Sequence, residues 1–97
     1  MSKPDSNFVL PSDNTLKHAT KLAVVEDKPV MFDYWTNSLE KKVIIGVKTN
    51  QEKLLVKSEE EYTSTISKLY KSNNEYIIVT ENSIYIVSAD IQSKKIS

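Results

Sequence analysis

Apolar residues recur along this chain at two different spacings. Leu16, Ala19, Leu22 and Ala23 fall on one helical stripe, with Glu26 closing it, while Lys17, His18 and Lys21 lie off it. That spacing predicts an amphipathic helix from about residue 13 to residue 27. Ser12 or Asp13 can accept its first free backbone N–H groups. Pro29 stops it, because the residue before a proline avoids helical backbone. The small alanines suit close packing on a sheet.

After Pro29 the period shortens to that of strands. Residues 30–35 read as a first strand and residues 36–40 as a loop. Residues 42–48 and 53–57 read as a hairpin joined by Thr49-Asn50-Gln51-Glu52, a polar turn. A four-residue loop pairs Lys48 with Lys53, Val47 with Leu54 and Ile45 with Val56. Val43, Ile45, Val47, Leu54 and Val56 then share one face. Ile44, Gly46, Leu55 and the lysines 48, 53 and 57 share the other. Gly46, the one glycine, marks a bulge or a close backbone approach.

Residues 58–72 carry two signals. Ser58-Glu59-Glu60-Glu61 matches a helix cap, but Thr63-Ser64-Thr65-Ile66-Ser67 is better strand material. The reading adopted is a short turn at the glutamates and a strand over 65–71. Residues 75–80 and 83–88 form the clearest hairpin, turning at Glu81-Asn82. Its register pairs Val79 with Ile84 and Ile78 with Tyr85. One face carries Ile77, Val79, Ile84 and Ile86; the other carries Tyr76, Ile78, Tyr85 and Val87. Both faces are apolar, so both need cover. Either the sheet curls into a barrel or sandwich, or a second copy covers one face.

The expected fold is α+β: an N-terminal helix packed on a mainly antiparallel sheet of five or six short strands, curling toward a small barrel. Residues 1–11 are expected to be a flexible arm pinned by Phe8, Val9 and Leu10. Residues 12–88 are one globular domain, and residues 89–97 a polar tail.

Composition narrows the function. The chain has 97 residues with 13 basic and 13 acidic side chains, so its net charge is zero. Every basic residue is lysine. No arginine fork is available to grip a phosphate or guanine edge with two parallel bonds. There is no cysteine, which removes disulfides and thiol chemistry. With one glycine no phosphate-cradling loop can form. No apolar run approaches the ~20 residues that span a bilayer, and the first residues carry no apolar signal core. A soluble intracellular protein with no membrane partner is expected.

Little chemistry is on offer. His18 is the only histidine, and a lone histidine on a polar helix face is usually a surface residue. Glu59, Glu60 and Glu61 point in different directions and read as a solvated turn. Asp33, between Phe32 and Tyr34, is read as a cap or a lysine partner, although burial would raise its pKa. No catalytic or metal-binding set, cofactor or small-molecule substrate is implied.

Two binding readings stand. Lys42, Lys48, Lys53 and Lys57 offer salt-sensitive phosphate contact to nucleic acid, with Tyr34 and Trp35 as stacking surfaces. The same lysines could instead guard a sheet edge. The other reading is self-association as a homodimer, with Tyr34, Trp35, Tyr76 and Tyr85 as candidate interface residues. Of the two, the non-enzymatic self-associating module is preferred.

Several stretches carry a resemblance. They are Glu26-Asp27-Lys28-Pro29-Val30, Asp33-Tyr34-Trp35, Lys53-Leu54-Leu55-Val56-Lys57-Ser58, Glu61-Tyr62-Thr63-Ser64 and Thr80-Glu81-Asn82-Ser83-Ile84-Tyr85. Together they resemble small uncharacterised proteins of giant DNA viruses, of the marseillevirus-like and mimivirus-like kinds, across most of residues 16–97. The resemblance implies a viral protein of host cytoplasm, virus factory or virion; DNA, by the lysine reading, or other viral proteins are the expected partners besides a second copy. It assigns no functional residue.

Overall fold

The first helix forms where its caps and stripe require. In the computed structural model, which describes residues 9–96, α1 spans Asp13–Glu26. Ser12 is its N-cap, and Asp27 ends it in the left-handed region at φ 56°. The apolar stripe packs inward through Leu16, Ala19, Leu22 and Ala23. Glu26 turns from that stripe to meet the Lys68 ammonium at 2.7 Å. That contact holds the Glu26 carboxyl below its usual pKa and the Lys68 ammonium above its own.

The N-terminus of α1 is held by a carboxylate from elsewhere in the chain. Glu75 accepts the Ser12 hydroxyl at 2.9 Å and the Ser12 backbone N–H at 3.2 Å. It also accepts the Thr15 hydroxyl. An anion at the positive end of a helix is favourable, and here it also ties the helix to the sheet.

Among the described residues, seven strands follow in two mixed sheets. They are β1 (Val30–Met31), β2 (Ile44–Val47), β3 (Lys53–Val56), β4 (Ile66–Ser72), β5 (Glu75–Thr80), β6 (Ile84–Ser88) and β7 (Gln92–Lys95). A short helix, α2 (Trp35–Leu39), lies between β1 and β2. One sheet has the order β1-β6-β5-β4 and the other β3-β2-β7. The α+β class is as expected. The single sheet of five or six strands curling toward a barrel is not: the seven strands form two separate sheets, with parallel pairs at β1–β6 and β2–β7.

The β5–β6 hairpin has the expected register, with Val79 opposite Ile84 and Ile78 opposite Tyr85. Its two apolar faces have two covers from this chain alone. Ile77, Val79, Ile84 and Ile86 pack under α1 and Trp35. Ile78 and Val87, with Tyr76 and Tyr85 partly buried, pack against Val43, Ile45, Leu55 and Ile91 of the second sheet region. The layers run helix, sheet, sheet. No second copy is needed to cover this hairpin.

Three local expectations are corrected. Residues 30–35 form a strand only at Val30–Met31, and the expected loop at 36–40 is largely α2. Ser38 holds the coil in place: its buried hydroxyl donates within α2 to the Trp35 carbonyl at 2.6 Å and accepts the distant Ser88 N–H at 2.9 Å. The chain therefore coils at the end of β6 instead of extending beside it. The segment expected to be a polar tail supplies β7, because Ile91 is buried beside Val43 and Ile45 and carries Gln92–Lys95 alongside β2. The β2–β3 register is shifted by one residue: Ile45 opposes Leu55 and Val47 opposes Lys53. The cause is a shorter turn: Lys48 N–H donates to the Glu52 carbonyl at 2.8 Å, which leaves residues 49–51 as the turn, and Gln51 sits at φ 75°.

The ambiguous segment resolves as a turn and a strand. Ser58 Oγ accepts the Glu60 and Glu61 N–H groups at 3.2 and 3.1 Å, and β4 begins at Ile66. Of the residues expected to pin the arm, Phe8 lies outside the described residues. Val9 does anchor the chain, through its carbonyl rather than its side chain: the Trp35 indole N–H donates to it at 2.7 Å.

Candidate functional site

The register shift redistributes the lysines. Paired residues share a face, so Lys53, Leu55 and Lys57 share the inner side of β3 with Val43, Ile45 and Val47 across from them. Lys48 continues the outer side, where Gly46, Leu54 and Val56 lie. The expected single lysine face does not exist.

Lys57 is fully engaged within the fold. Its ammonium lies 4.9 Å from the Tyr34 ring centre, donates to the Asp33 carbonyl at 3.1 Å and stands 3.9 Å from the Glu61 carboxylate. Lys42 faces Glu40 at 3.3 Å, with both side chains exposed. Lys48 and Lys53 are exposed, and among the described residues neither has an acidic partner within 4.0 Å.

The candidate aromatics are core. Tyr34 is 6% exposed and Trp35 5%, and the two neighbours enter opposite layers of the fold. Tyr34 meets Tyr85 edge-on at 5.3 Å. Burial first, then Tyr85, Asp33 and Glu61, push the Tyr34 phenol up to about 12. Burial and Asp33 raise Tyr85 as well. Neither Tyr34 nor Trp35 is available for base stacking. Asp33 itself is exposed. His18 lies 5.4 Å from the Tyr70 ring, a packing contact. Among the described residues no three acidic or histidine side chains gather to hold a metal ion.

Two features lay outside the sequence expectations. The first is a cluster at one end of the three-stranded sheet. The β2–β7 pairing sets Lys94 opposite Gly46 and Lys95 opposite Val47, while Lys53 opposes Val47 from the other side. With Lys48 these make four lysines around one sheet end, none within 4.0 Å of a carboxylate among the described residues. The signal for β7 was the pair Ile91 and Ile96 bracketing a polar run.

The second is a groove of about 590 Å³ on the outer side of the same sheet. Leu54, Val56 and Ile96 form its apolar floor, and Tyr62 its wall. Lys48 and Glu59 both line it. Lys48 follows β2, and Glu59 follows β3, which places opposite charges at its two ends. Thr63 builds the wall onto the sheet. Its N–H donates to the Leu55 carbonyl at 2.9 Å, and its hydroxyl accepts the Leu55 N–H at 3.1 Å. These bonds also close the outer edge of β3, which would otherwise be open to pairing. Gly46 serves the floor: a Cβ there would stand 2.7 Å from Ile96 Cδ1 and 3.0 Å from Val56 Cγ2. Gly46 thus marks a close approach of side chains, not the bulge or backbone approach expected, and the β2–β3 register runs unbroken through it.

No family model, curated protein or solved structure matches this chain. Among the described residues no helix is long and apolar enough to cross a membrane.

Proposed function

We propose that this protein is a non-enzymatic binding or structural module that self-associates, with the outer groove as its contact surface. The observation that carries the reading is the groove's composition: an apolar floor of Leu54, Val56 and Ile96, with exposed Tyr62 beside it and charge at both ends. Interface cores use apolar and aromatic groups inside a polar rim. Zero net charge gives little repulsion between copies. The setting implied by the giant-virus resemblance is a virus factory or virion. Light scattering at micromolar concentration tests the reading. A species heavier than the 11.1 kDa chain is expected, and a clean monomer overturns it.

A second reading is nonspecific DNA binding, favoured by the four lysines at one sheet end. It replaces the lysines 42, 48, 53 and 57 with Lys48, Lys53, Lys94 and Lys95. A gel-shift titration between about 50 and 200 mM salt would show a strongly salt-dependent complex, weakened by removing any of the four. The absence of a shift at low salt rejects it.

A further inference from the structure

Both faces of the β5–β6 hairpin are covered inside the chain, and the inner face of the three-stranded sheet packs against one of them. The outer face of the smaller sheet carries the groove, with Ile96 and Tyr62 exposed along it. Its two ends differ in charge. Lys48 lines one end, and Lys94 shares that outer face beside Gly46. Glu59 lines the other end, and Glu60 follows it in the same exposed turn.

A surface with this pattern is its own complement. In a two-fold dimer the same patch meets itself reversed, so residue i of one copy meets residue j of the partner and the reverse. A two-fold axis through the middle of the groove would set Lys48 of each copy against Glu59 of the other. The two apolar floors would meet between those pairs. Tyr62, 59% exposed on the glutamate side, would lie toward the other copy's lysine end, where an ammonium over its ring is favourable. A one-signed partner, such as an acidic peptide or a phosphate backbone, would satisfy one end of the groove and be repelled by the other.

We infer that the outer groove is an isologous dimer interface, in which a second copy of this chain docks in reverse through reciprocal Lys48–Glu59 contacts flanking Leu54, Val56 and Ile96. This rests on the self-association proposed above and adds where and how the copies meet.

Charge reversal tests it. Lys48→Glu and Glu59→Lys alter exposed side chains, and circular dichroism should confirm that each variant folds. Each variant alone would face two like-charge contacts across the axis. Its dimer should weaken by about tenfold or more, since like-charge juxtaposition is strongly unfavourable. An equimolar mixture of the two variants should recover a heterodimer. At one contact the two reversed side chains then meet as an opposite-charge pair, and at the other the unaltered Glu59 of the first variant meets the unaltered Lys48 of the second. Sedimentation velocity reads both results.

Weakened single variants with a restored mixture support the arrangement. Dimeric wild type with unaffected single variants, or with no recovery on mixing, overturns this interface while leaving self-association standing. Monomeric wild type overturns both. Tyr62→Ser gives an independent check: it should weaken the wild-type dimer, and an unchanged dimer counts against the docking described.

Discussion

The Lys57 ammonium lies over the Tyr34 ring, 4.9 Å from its centre, while its proton is directed to the Asp33 carbonyl 3.1 Å away. One lysine thereby closes the end of the inter-sheet core, where Tyr34 packs edge-on to Tyr85. Lys57 therefore belongs to the folded core's boundary and has no free ammonium to offer a ligand.

Tyr34 gives a pH prediction. Burial raises its phenol from 10.0 to about 12, so the folded chain holds the proton over a range where the unfolded chain has released it. Raising the pH through that window favours the unfolded chain. This stabilising contribution is complete below pH 10 and is lost toward pH 12. Denaturant midpoints should fall across the window less steeply in Tyr34→Phe than in wild type. Absorbance titration should lose its highest-pH step in Tyr34→Phe; a titration unchanged by that substitution would refute the buried environment.

Replacing Lys57 by methionine removes the ring contact and the bond to Asp33. The expected loss is about 1 kcal/mol, the scale of one partly exposed cation–π contact with a modest hydrogen bond. Urea unfolding measures it. If the protein binds DNA, the same variant should leave that affinity unchanged while Lys94→Ala reduces it.

Glu75→Gln should loosen the start of α1. The neutral amide keeps one acceptor oxygen but loses the charge that draws the Ser12 and Thr15 donors together. A loss of about 1–2 kcal/mol is expected for charge-assisted bonds at a helix N-terminus. Hydrogen exchange should show the first turn of α1 opening earlier than its last turn. Unchanged exchange there would show that Ser12 caps the helix unaided.

Gly46→Ala should displace Ile96, whose Cδ1 stands 2.7 Å from the added carbon. Overpacking of this kind costs about 1–3 kcal/mol. Ile96→Ala in the same chain should recover part of that loss, because it removes the crowding methyl groups. If the double variant is less stable than expected from adding the two single effects, the two residues do not compete for the same space.

What was legible in the sequence was local. The α1 stripe runs from Leu16 to Glu26 between a serine cap and a proline stop, and each signal names the same boundaries. The β5–β6 register was legible because Glu81-Asn82 leaves one tight turn, and Tyr76 to Val87 alternate around it. The β2–β3 register was not legible. Val43-Ile44-Ile45 and Leu54-Leu55-Val56 are apolar on both sides, so a one-residue slip changes no hydrophobic count. The backbone conformation of Gln51 decided the slip, and the slip separated Lys48 from Lys53 and Lys57. The candidate site was half visible: Lys48 and Lys53 were named, while Lys94, Lys95 and the groove depended on β7.

Periodicity and caps act over a few residues, and they were enough to set the class: one amphipathic helix, with strands whose two apolar faces both need burial. Composition was enough to remove arginine and cysteine chemistry. What covers those faces, and which charges stand together, came from packing between distant segments. Ile91 and Ile96 gain burial only once the chain has returned to β2, and that return draws Lys94 and Lys95 to the sheet end and completes the groove. Contacts between residues so far apart along the chain are chosen by the shape of the whole core, and no local pattern contains them.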